Sequence, residues 1–306
     1  MECLAYIYAE EGKLEEAEQL EVQVLHINEK LPLEKYPHFL RSMENLITLE
    51  EAEQLKIQLL DMGKKLYHML ESERKLAGIY FKQGKLKKTL QMEVFLLDIS
   101  KRLLPTEHPH IHIIMESLAR TYANMGNLKE AEHLTLQVLD MRKKMLGVDH
   151  PQTLLSIENL ASTYHMQGKW NKAGELGVQV LDLKKKVIGA EHLNTLTSMS
   201  NLADTYSAQG RWNGAEQLKV QVLDMRKKVL GAEHLDTLSS IENLAITYSS
   251  QGKWDEAEQL HVQVLNMRKK VLGAKHPNTI ISMAYLAKIY SNQGKWDEAE
   301  TNMLAA

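Results

Sequence analysis

The amino-acid sequence predicts an all-α protein, built as a solenoid of stacked antiparallel helix pairs. Glycine recurs every 42 residues along most of the chain, at Gly84, Gly126, Gly168, Gly210, Gly252 and Gly294. Tryptophan follows two places later on the same spacing, at Trp170, Trp212, Trp254 and Trp296. A constant period of this length indicates repeated helix pairs that bury their apolar faces on their neighbours, rather than one closed core.

The first helix of the repeat, helix A, is predicted from a complete copy, residues 151–192. Its apolar residues recur at about 100° per residue, which places them on one helical face. These residues are Leu154, Ile157, Leu160, Ala161 and Tyr164. The turn Gln167-Gly168-Lys169 ends the helix, because glycine adopts the left-handed conformation that closes a helix.

The second helix, helix B, carries a wider apolar arc. Its predicted buried positions are Trp170, Ala173, Leu176, Val180, Leu181 and Val187. An arc of this width suits a helix that packs on its own partner and on the next repeat. Acidic residues come early and basic residues late in this helix, an order that favours the helix dipole. Gly189 is expected to end it.

The repeats divide the chain into two regions. Residues 84–306 are predicted to form regular 42-residue repeats, of which the last is truncated, and residues 1–83 form degenerate, shortened repeats. Ala17 and its equivalent Ala52 are only 35 residues apart, so seven residues of the period are missing there. We therefore expect residues 1–80 to be less regular and more mobile. Neither end has a polar capping repeat, which predicts a piece of a longer array and weak self-association through the uncapped ends.

Composition limits the classes of partner. The net charge is −3, which gives no general attraction to nucleic acid or to an acidic membrane surface. The single cysteine cannot form an intrachain disulfide, and no signal peptide or membrane-spanning run is present in the sequence. No H-E-x-x-H, G-x-S-x-G or G-x-G-x-x-G motif occurs. We expect a cytoplasmic protein that is not an enzyme, has no cofactor or metal, and binds neither membrane nor nucleic acid.

Two further sets of residues recur at the same spacing, and a third set, of glycines, lies inside helix B. The histidines are His108, His150, His192, His234 and His276. They are predicted to tie the loops, because one histidine per repeat cannot converge on a metal ion. The basic triplets begin at Arg142, Lys184, Arg226 and Arg268. They are interpreted as solvated helix ends, with a stripe for phosphate or an acidic partner as the alternative. The glycines inside helix B, Gly174, Gly177 and Gly214, are expected to loosen their repeats. They are interpreted as sequence drift, with a hinge as the alternative.

Two sequence patterns carry a family resemblance. Asn-Leu-Ala-x-x-Tyr followed by Gln-Gly-Lys-Trp-x-x-Ala-Glu resembles a tetratricopeptide repeat. The 42-residue period and the tail Arg-Lys-x-x-Leu-Gly-x-x-His-Pro resemble the longer repeats of the kinesin light chain. Similar arrays occur in fungal NOD-like receptors. The resemblance implies a right-handed α-α superhelix and a non-enzymatic scaffold for protein interactions.

The resemblance also implies a binding site. Helix A of this family lines a concave groove, in which partner peptides or proteins lie. The groove residues implied here are Glu158, Asn159, Ser162, Asn201, Asp204, Glu242 and Asn243. An asparagine carboxamide offers donors and acceptors to a peptide backbone; alternatively, these asparagines are ordinary polar surface. Narrower functions left open are a ligand-sensing or self-assembly segment of a NOD-like receptor-type protein, and a kinesin light chain-like cargo adaptor.

Overall fold

The computed structural model of the protein describes residues 69–105 and 107–305, with side-chain surroundings through residue 301. Every regular element in this part of the chain is a helix, so the predicted all-α class is confirmed. The expected irregularity of residues 1–80 falls mostly on residues 1–68, which lie outside the described residues. The boundary between shortened and regular repeats at residue 83 stays a prediction.

The described helices follow the predicted alternation of A and B. The A helices are α1 (residues 69–82), α3 (Pro109–Asn124), α5 (Pro151–Met166), α7 (Leu193–Ala208), α9 (Leu235–Ser250) and α11 (Pro277–Asn292). The B helices are α2 (Leu86–Leu103), α4 (Leu128–Leu146), α6 (Trp170–Val187), α8 (Trp212–Leu230), α10 (Trp254–Leu272) and α12 (Trp296–Ala305). Within this part of the chain, no helix combines the length and the apolar character needed to cross a membrane.

The chain forms two compact units, one up to Met141 and one from Arg142. In the first unit, one core cluster joins residues of α1 to α4, among them Leu70, Leu96 and Ile114. The second unit contains a series of smaller clusters. One of them joins Leu181 of α6, Leu196, Met199 and Leu202 of α7, and Val222 of α8. Such a cluster crosses the boundary between two sequence repeats, because helix B packs on the helix A that follows it.

The recurring histidines cap the A helices. Nδ1 of His150 accepts a hydrogen bond of 3.2 Å from the backbone N–H of Gln152, and His108, His192, His234 and His276 make the same contact at 3.1–3.2 Å. The first backbone N–H groups of a helix have no partner within the helix, and a capping side chain satisfies one of them. The predicted loop-tying role is therefore confirmed.

Glycine ends the helices as predicted. Gly168 follows α5 with a φ of +72°, and the N–H of Lys169 then bonds the carbonyl of Tyr164 at 2.9 Å. Gly189 has a φ of +94° after α6. A side chain other than glycine is strained in this region of conformational space, so the period of glycine follows from backbone geometry.

The predicted burial of Trp170 is wrong, and its equivalent Trp296 is exposed as well. The side chain of Trp170 is 43% exposed and that of Trp296 is 68% exposed. Each is the first residue of its helix B. In the repeat of Trp170, lysines of the turn and of helix B cover the ring of Tyr164 instead, with the Nζ atoms of Lys169 and Lys172 at 5.3 Å from its centroid. Val187, also predicted to be buried, is 44% exposed.

Candidate functional site

The seven predicted groove residues lie on three consecutive A helices of the second unit. Those on α5 are Glu158, Asn159 and Ser162; those on α7 are Asn201 and Asp204; those on α9 are Glu242 and Asn243. Residues three or four apart share one face of a helix, so each set lies together. Ser162, Asn201 and Asp204 are exposed, and the other four are half-buried.

Three of these residues are carboxylates that bind basic residues of helix B. Glu158 accepts from Nζ of Lys184 at 2.6 Å and from the hydroxyl of Ser198. Asp204 pairs with Lys219 at 2.8 Å. Asp204 therefore holds the two helices of its own repeat together, and Glu158 also joins its repeat to the next one through Ser198.

Glu242 makes the third and most complete of these pairs. Its two carboxylate oxygens bind Nη1 and Nη2 of Arg268 at 2.6 and 2.9 Å, and the hydroxyl of Ser282 donates to Oε1 at 3.3 Å. Nη1 of Arg268 also bonds the carbonyl of Asn278 at 3.1 Å. The two-pronged geometry matches the planar guanidinium to the planar carboxylate, and the pair joins α9, α10 and α11.

The basic triplets are wrongly predicted as wholly solvated. The side chains that begin three of them, Arg142, Lys184 and Arg268, belong to residues only 3%, 7% and 4% exposed. Each donates to a main-chain carbonyl in the first turn of the next helix A, because it lies one turn before the end of helix B and reaches across to that turn. The third member also has a partner in two triplets, where Lys228 binds Glu191 and Lys270 binds Glu233. These triplets are therefore largely repeat-to-repeat ties.

A cavity of about 160 Å³ opens on the helix-A face between α5, α6 and α7. Ala173, Gly177, Val180 and Leu202 form its apolar lining, and the polar residues that border it include Asn201. A Cβ atom on Gly177 would lie 2.9 Å from Cδ1 of Leu202. The cavity thus brings together four of the predicted groove residues, namely Glu158, Ser162, Asn201 and Asp204.

The equivalent of Gly177 in other repeats carries a side chain that is buried. Thr135, Lys219 and His261 occupy this place, and all three are buried. His261 stacks on Tyr285, with 5.6 Å between ring centroids. Burial lowers the pKa of His261 to about 4, so its imidazole is neutral near pH 7. Among the four repeats that the structure describes in full, only that of Gly177 lacks a side chain at this position. The cavity lies there.

The turn after helix A makes a second contact that is present in some repeats and absent from others. In two repeats the lysine of the Gln-Gly-Lys turn reaches back to the preceding helix B: Lys253 binds Glu216 at 2.8 Å and Lys295 binds Glu258 at 2.7 Å. The hydrogen bond from Lys253 lowers the pKa of Glu216. Gly174 takes the place of the glutamate one repeat earlier.

The glycines of helix B mark close approaches rather than loosened helices. A Cβ on Gly174 would lie 3.1 Å from Nε2 of Gln209, and one on Gly214 would lie 3.1 Å from Cδ2 of Tyr206. Both α6 and α8 run through these positions without a break. The absence of a side chain therefore allows close contact with a neighbouring helix or turn and leaves the helices intact.

A model of the tetratricopeptide repeat matches residues 110–186, 152–228, 215–270 and 236–306 of the sequence. The chain belongs to the tetratricopeptide repeat family. Its helix pairs are those of a tetratricopeptide solenoid, a fold that is typically a non-catalytic scaffold for protein interactions. No curated protein matches the sequence.

Solved structures of three other proteins resemble the chain. A Podospora anserina putative kinesin light chain with nearly identical repeats is 33% identical, with a TM-score of 0.58, over 66% of this chain and 95% of that chain. BtubC of P. vanneervenii is 20% identical, with a TM-score of 0.61, over 71% of this chain and 88% of that one. A signal-transduction ATPase of Pyrococcus horikoshii with a tetratricopeptide repeat sensor is 16% identical, with a TM-score of 0.60, over 94% of this chain and 46% of that one. At these last two identities the likeness shows the fold alone.

The cavity escaped the sequence reasoning, although the sequence contains a signal for it. Aligning the repeats places Glu93, Thr135, Gly177, Lys219 and His261 in one column. Variation from acid to base to glycine in one column is not expected of a core position. The variation indicates that this position lies at the interface between repeats.

Proposed function

We propose that the second unit binds a partner protein by holding an extended segment of it along the exposed faces of α5, α7 and α9. The cavity at Gly177 is the observation that carries this proposal. It lies on the same face as the predicted groove residues and joins an apolar lining to a polar border, as peptide-binding pockets do. Its volume of about 160 Å³ suits one side chain of a partner.

The asparagines supply the second part of the proposal. Asn159, Asn201 and Asn243 hold the same place on three successive A helices. In the part of the chain that the structure describes, the carboxamides of Asn201 and Asn243 have no hydrogen-bond partner, and that of Asn201 is exposed beside the cavity. A carboxamide both donates to and accepts from a main chain, so it holds a segment without selecting its side chains.

The narrower functions use the same face. The Podospora anserina neighbour is described as a putative kinesin light chain, and the Pyrococcus horikoshii neighbour has a tetratricopeptide repeat sensor. Cargo binding and ligand sensing are therefore two alternatives that both consist of binding a protein segment. The cavity and the asparagines serve either setting.

A display library of random peptides, panned on the full chain, tests the proposal. We expect selected peptides to bind about tenfold more weakly when Asn159, Asn201 and Asn243 are all replaced by alanine, because a few net hydrogen bonds are lost. Gly177→Thr, which introduces the residue found at Thr135, should reduce binding as well by filling the cavity.

A matched control replaces Asn213 and Asn266, two exposed asparagines of helices B, by alanine. This control should bind the selected peptides as the parent chain does. Equal binding by the parent, the triple variant and Gly177→Thr would move the site away from this face. Failure of the parent chain to select any peptide would overturn the proposal as a whole.

A further inference from the structure

Arg226 differs from the other residues that begin a basic triplet. It is half-buried, whereas Arg142, Lys184 and Arg268 are buried. Its Nη1 donates to the carbonyl of Asp236 at 3.1 Å and to the hydroxyl of Ser240 at 2.8 Å. Its Nε is buried without a hydrogen-bond partner, and no carboxylate of the described residues pairs with the guanidinium.

The next repeat shows what is missing. There the guanidinium of Arg268 makes the same two contacts, with the carbonyl of Asn278 and the hydroxyl of Ser282, and in addition holds Glu242 through both carboxylate oxygens. The residue 42 places before Glu242 is Ser200. Its hydroxyl bonds the carbonyl of Leu196 at 3.1 Å, within its own helix.

The change from glutamate to Ser200 leaves the guanidinium of Arg226 without a carboxylate partner. A serine side chain lacks the Cδ and the two carboxylate oxygens of a glutamate, so residue 200 cannot give Arg226 the carboxylate that Glu242 gives Arg268. The partial exposure of Arg226 agrees with this, because the residue is half-buried where its three equivalents are buried. A half-buried guanidinium that lacks a carboxylate attracts one strongly, and the planar fork favours two-pronged binding.

Resting on the proposed function, we propose that Arg226 binds the carboxylate of an aspartate or glutamate in the partner segment. The carboxylate takes the place that Glu242 takes at Arg268, paired with Nη1 and Nη2 of Arg226. Ser200 directly precedes Asn201. The acidic residue therefore binds next to the point where the Asn201 carboxamide holds the main chain of the segment.

Neighbouring cations do not offer the same site. Lys184 and Arg268 are neutralised by Glu158 and Glu242, and Lys219 is neutralised by Asp204. An acidic residue of the partner would have to displace a carboxylate of this chain at each of those places. At Arg226 it displaces none, which fixes the position of the acid along the segment.

The variant Ser200→Glu tests the site, because it restores from within the carboxylate that the other repeats possess. Among peptides selected by the parent chain, we expect an aspartate or glutamate at one position, and replacing it by alanine should weaken binding about tenfold. Ser200→Glu should remove this preference and keep the rest of the selection. Gln217→Glu adds the same charge at an exposed position of α8 and should leave the preference unchanged.

A measurement without peptides separates this site from the proposed function. The side-chain Nε–H resonance of Arg226, followed by NMR while acetate replaces chloride, should shift in the parent chain and in Gln217→Glu, but not in Ser200→Glu. An acetate response with no peptide selection would retain the carboxylate site and reject peptide binding. An equal acetate response in Ser200→Glu, no response in the parent, an unchanged acid preference, or a stronger response to inorganic phosphate than to acetate would overturn the assignment.

Discussion

Two boundaries between repeats in the second unit have the same helical frame and different surfaces. At the α6–α7 boundary, helix B presents Gly174 and Gly177, and a cavity opens towards Asn201. At the α10–α11 boundary the same two places are Glu258, which binds Lys295, and His261, which stacks on Tyr285. We call them the glycine boundary and the filled boundary.

The comparison separates the columns of the repeat that stack the helices from the columns on which the proposed binding rests. Capping histidines, glycine turns and buried aliphatic residues occur at both boundaries, so the frame does not depend on what fills the surface. The columns of Gly174, Gly177 and Ser200 vary, and they determine whether a space or a charge is left for a partner. A repeat array can therefore change its binding surface at one boundary without altering its stacking.

The largest effect is expected from breaking the ion pair of the filled boundary. Glu242→Ala leaves the guanidinium of Arg268 buried without a carboxylate, so the free energy of unfolding should fall by about 3 kcal/mol. Urea denaturation followed by circular dichroism measures the change. Glu256→Ala removes an exposed carboxylate of α10 and should cost less than about 0.5 kcal/mol. Equal losses in the two variants would mean that the buried pair does not stabilise the boundary.

A pH dependence should distinguish the filled boundary from the glycine boundary. Burial lowers the pKa of His261 to about 4 from an unfolded value near 6.5. Between these values the unfolded chain binds a proton that the folded chain does not, so stability is complete above about pH 6.5 and decreases as the pH falls towards 4. We expect a loss of about 2 kcal/mol between pH 7 and pH 5 from this residue.

The variant His261→Thr isolates that contribution. Threonine occupies the equivalent place at Thr135, and it does not titrate. Subtracting the pH profile of the variant from that of the parent removes the effects of the other histidines. Parallel profiles between pH 7 and pH 5 would show that the imidazole is not held neutral by burial.

The smallest effect is expected from converting part of the glycine boundary into the filled type. Gly174→Glu should raise the free energy of unfolding by about 1 kcal/mol, because glycine is a poor helix former and the new carboxylate can pair with Arg211. Its Cβ would lie 3.1 Å from Nε2 of Gln209, which donates to the carbonyl of Trp170 at 2.9 Å and has to shift by a few tenths of an ångström. Thermal unfolding measures the gain, and Gly174→Ala separates the helix contribution from the ion pair. A loss of stability in both variants would show that the boundary cannot adjust to a side chain.

Sequence reasoning predicted the frame because each frame residue acts within its own loop or helix. His192 caps the helix that follows it, and Gly168 ends the helix that precedes it. The same reasoning failed for interactions between residues of different repeats or different helices. Lys184 binds Glu158, 26 residues earlier, and Trp170 is exposed because of what surrounds the first turn of its helix. Such contacts depend on which side chains the stacking brings together, and a single copy of the repeat does not contain that information.

The core clusters, which join helix B of one repeat to both helices of the next, have a consequence for changes in repeat number. Removing residues 193–234 would connect α6 to α9, and Leu181 would meet Leu238 and Ile241 in place of Leu196 and Met199. The apolar contacts would be replaced by equivalent ones, while Ser200, Asn201 and Arg226 would all be lost. Copy number in such an array can therefore change with little effect on folding, and each gain or loss of a copy adds or deletes the proposed binding residues of that copy as one inherited unit.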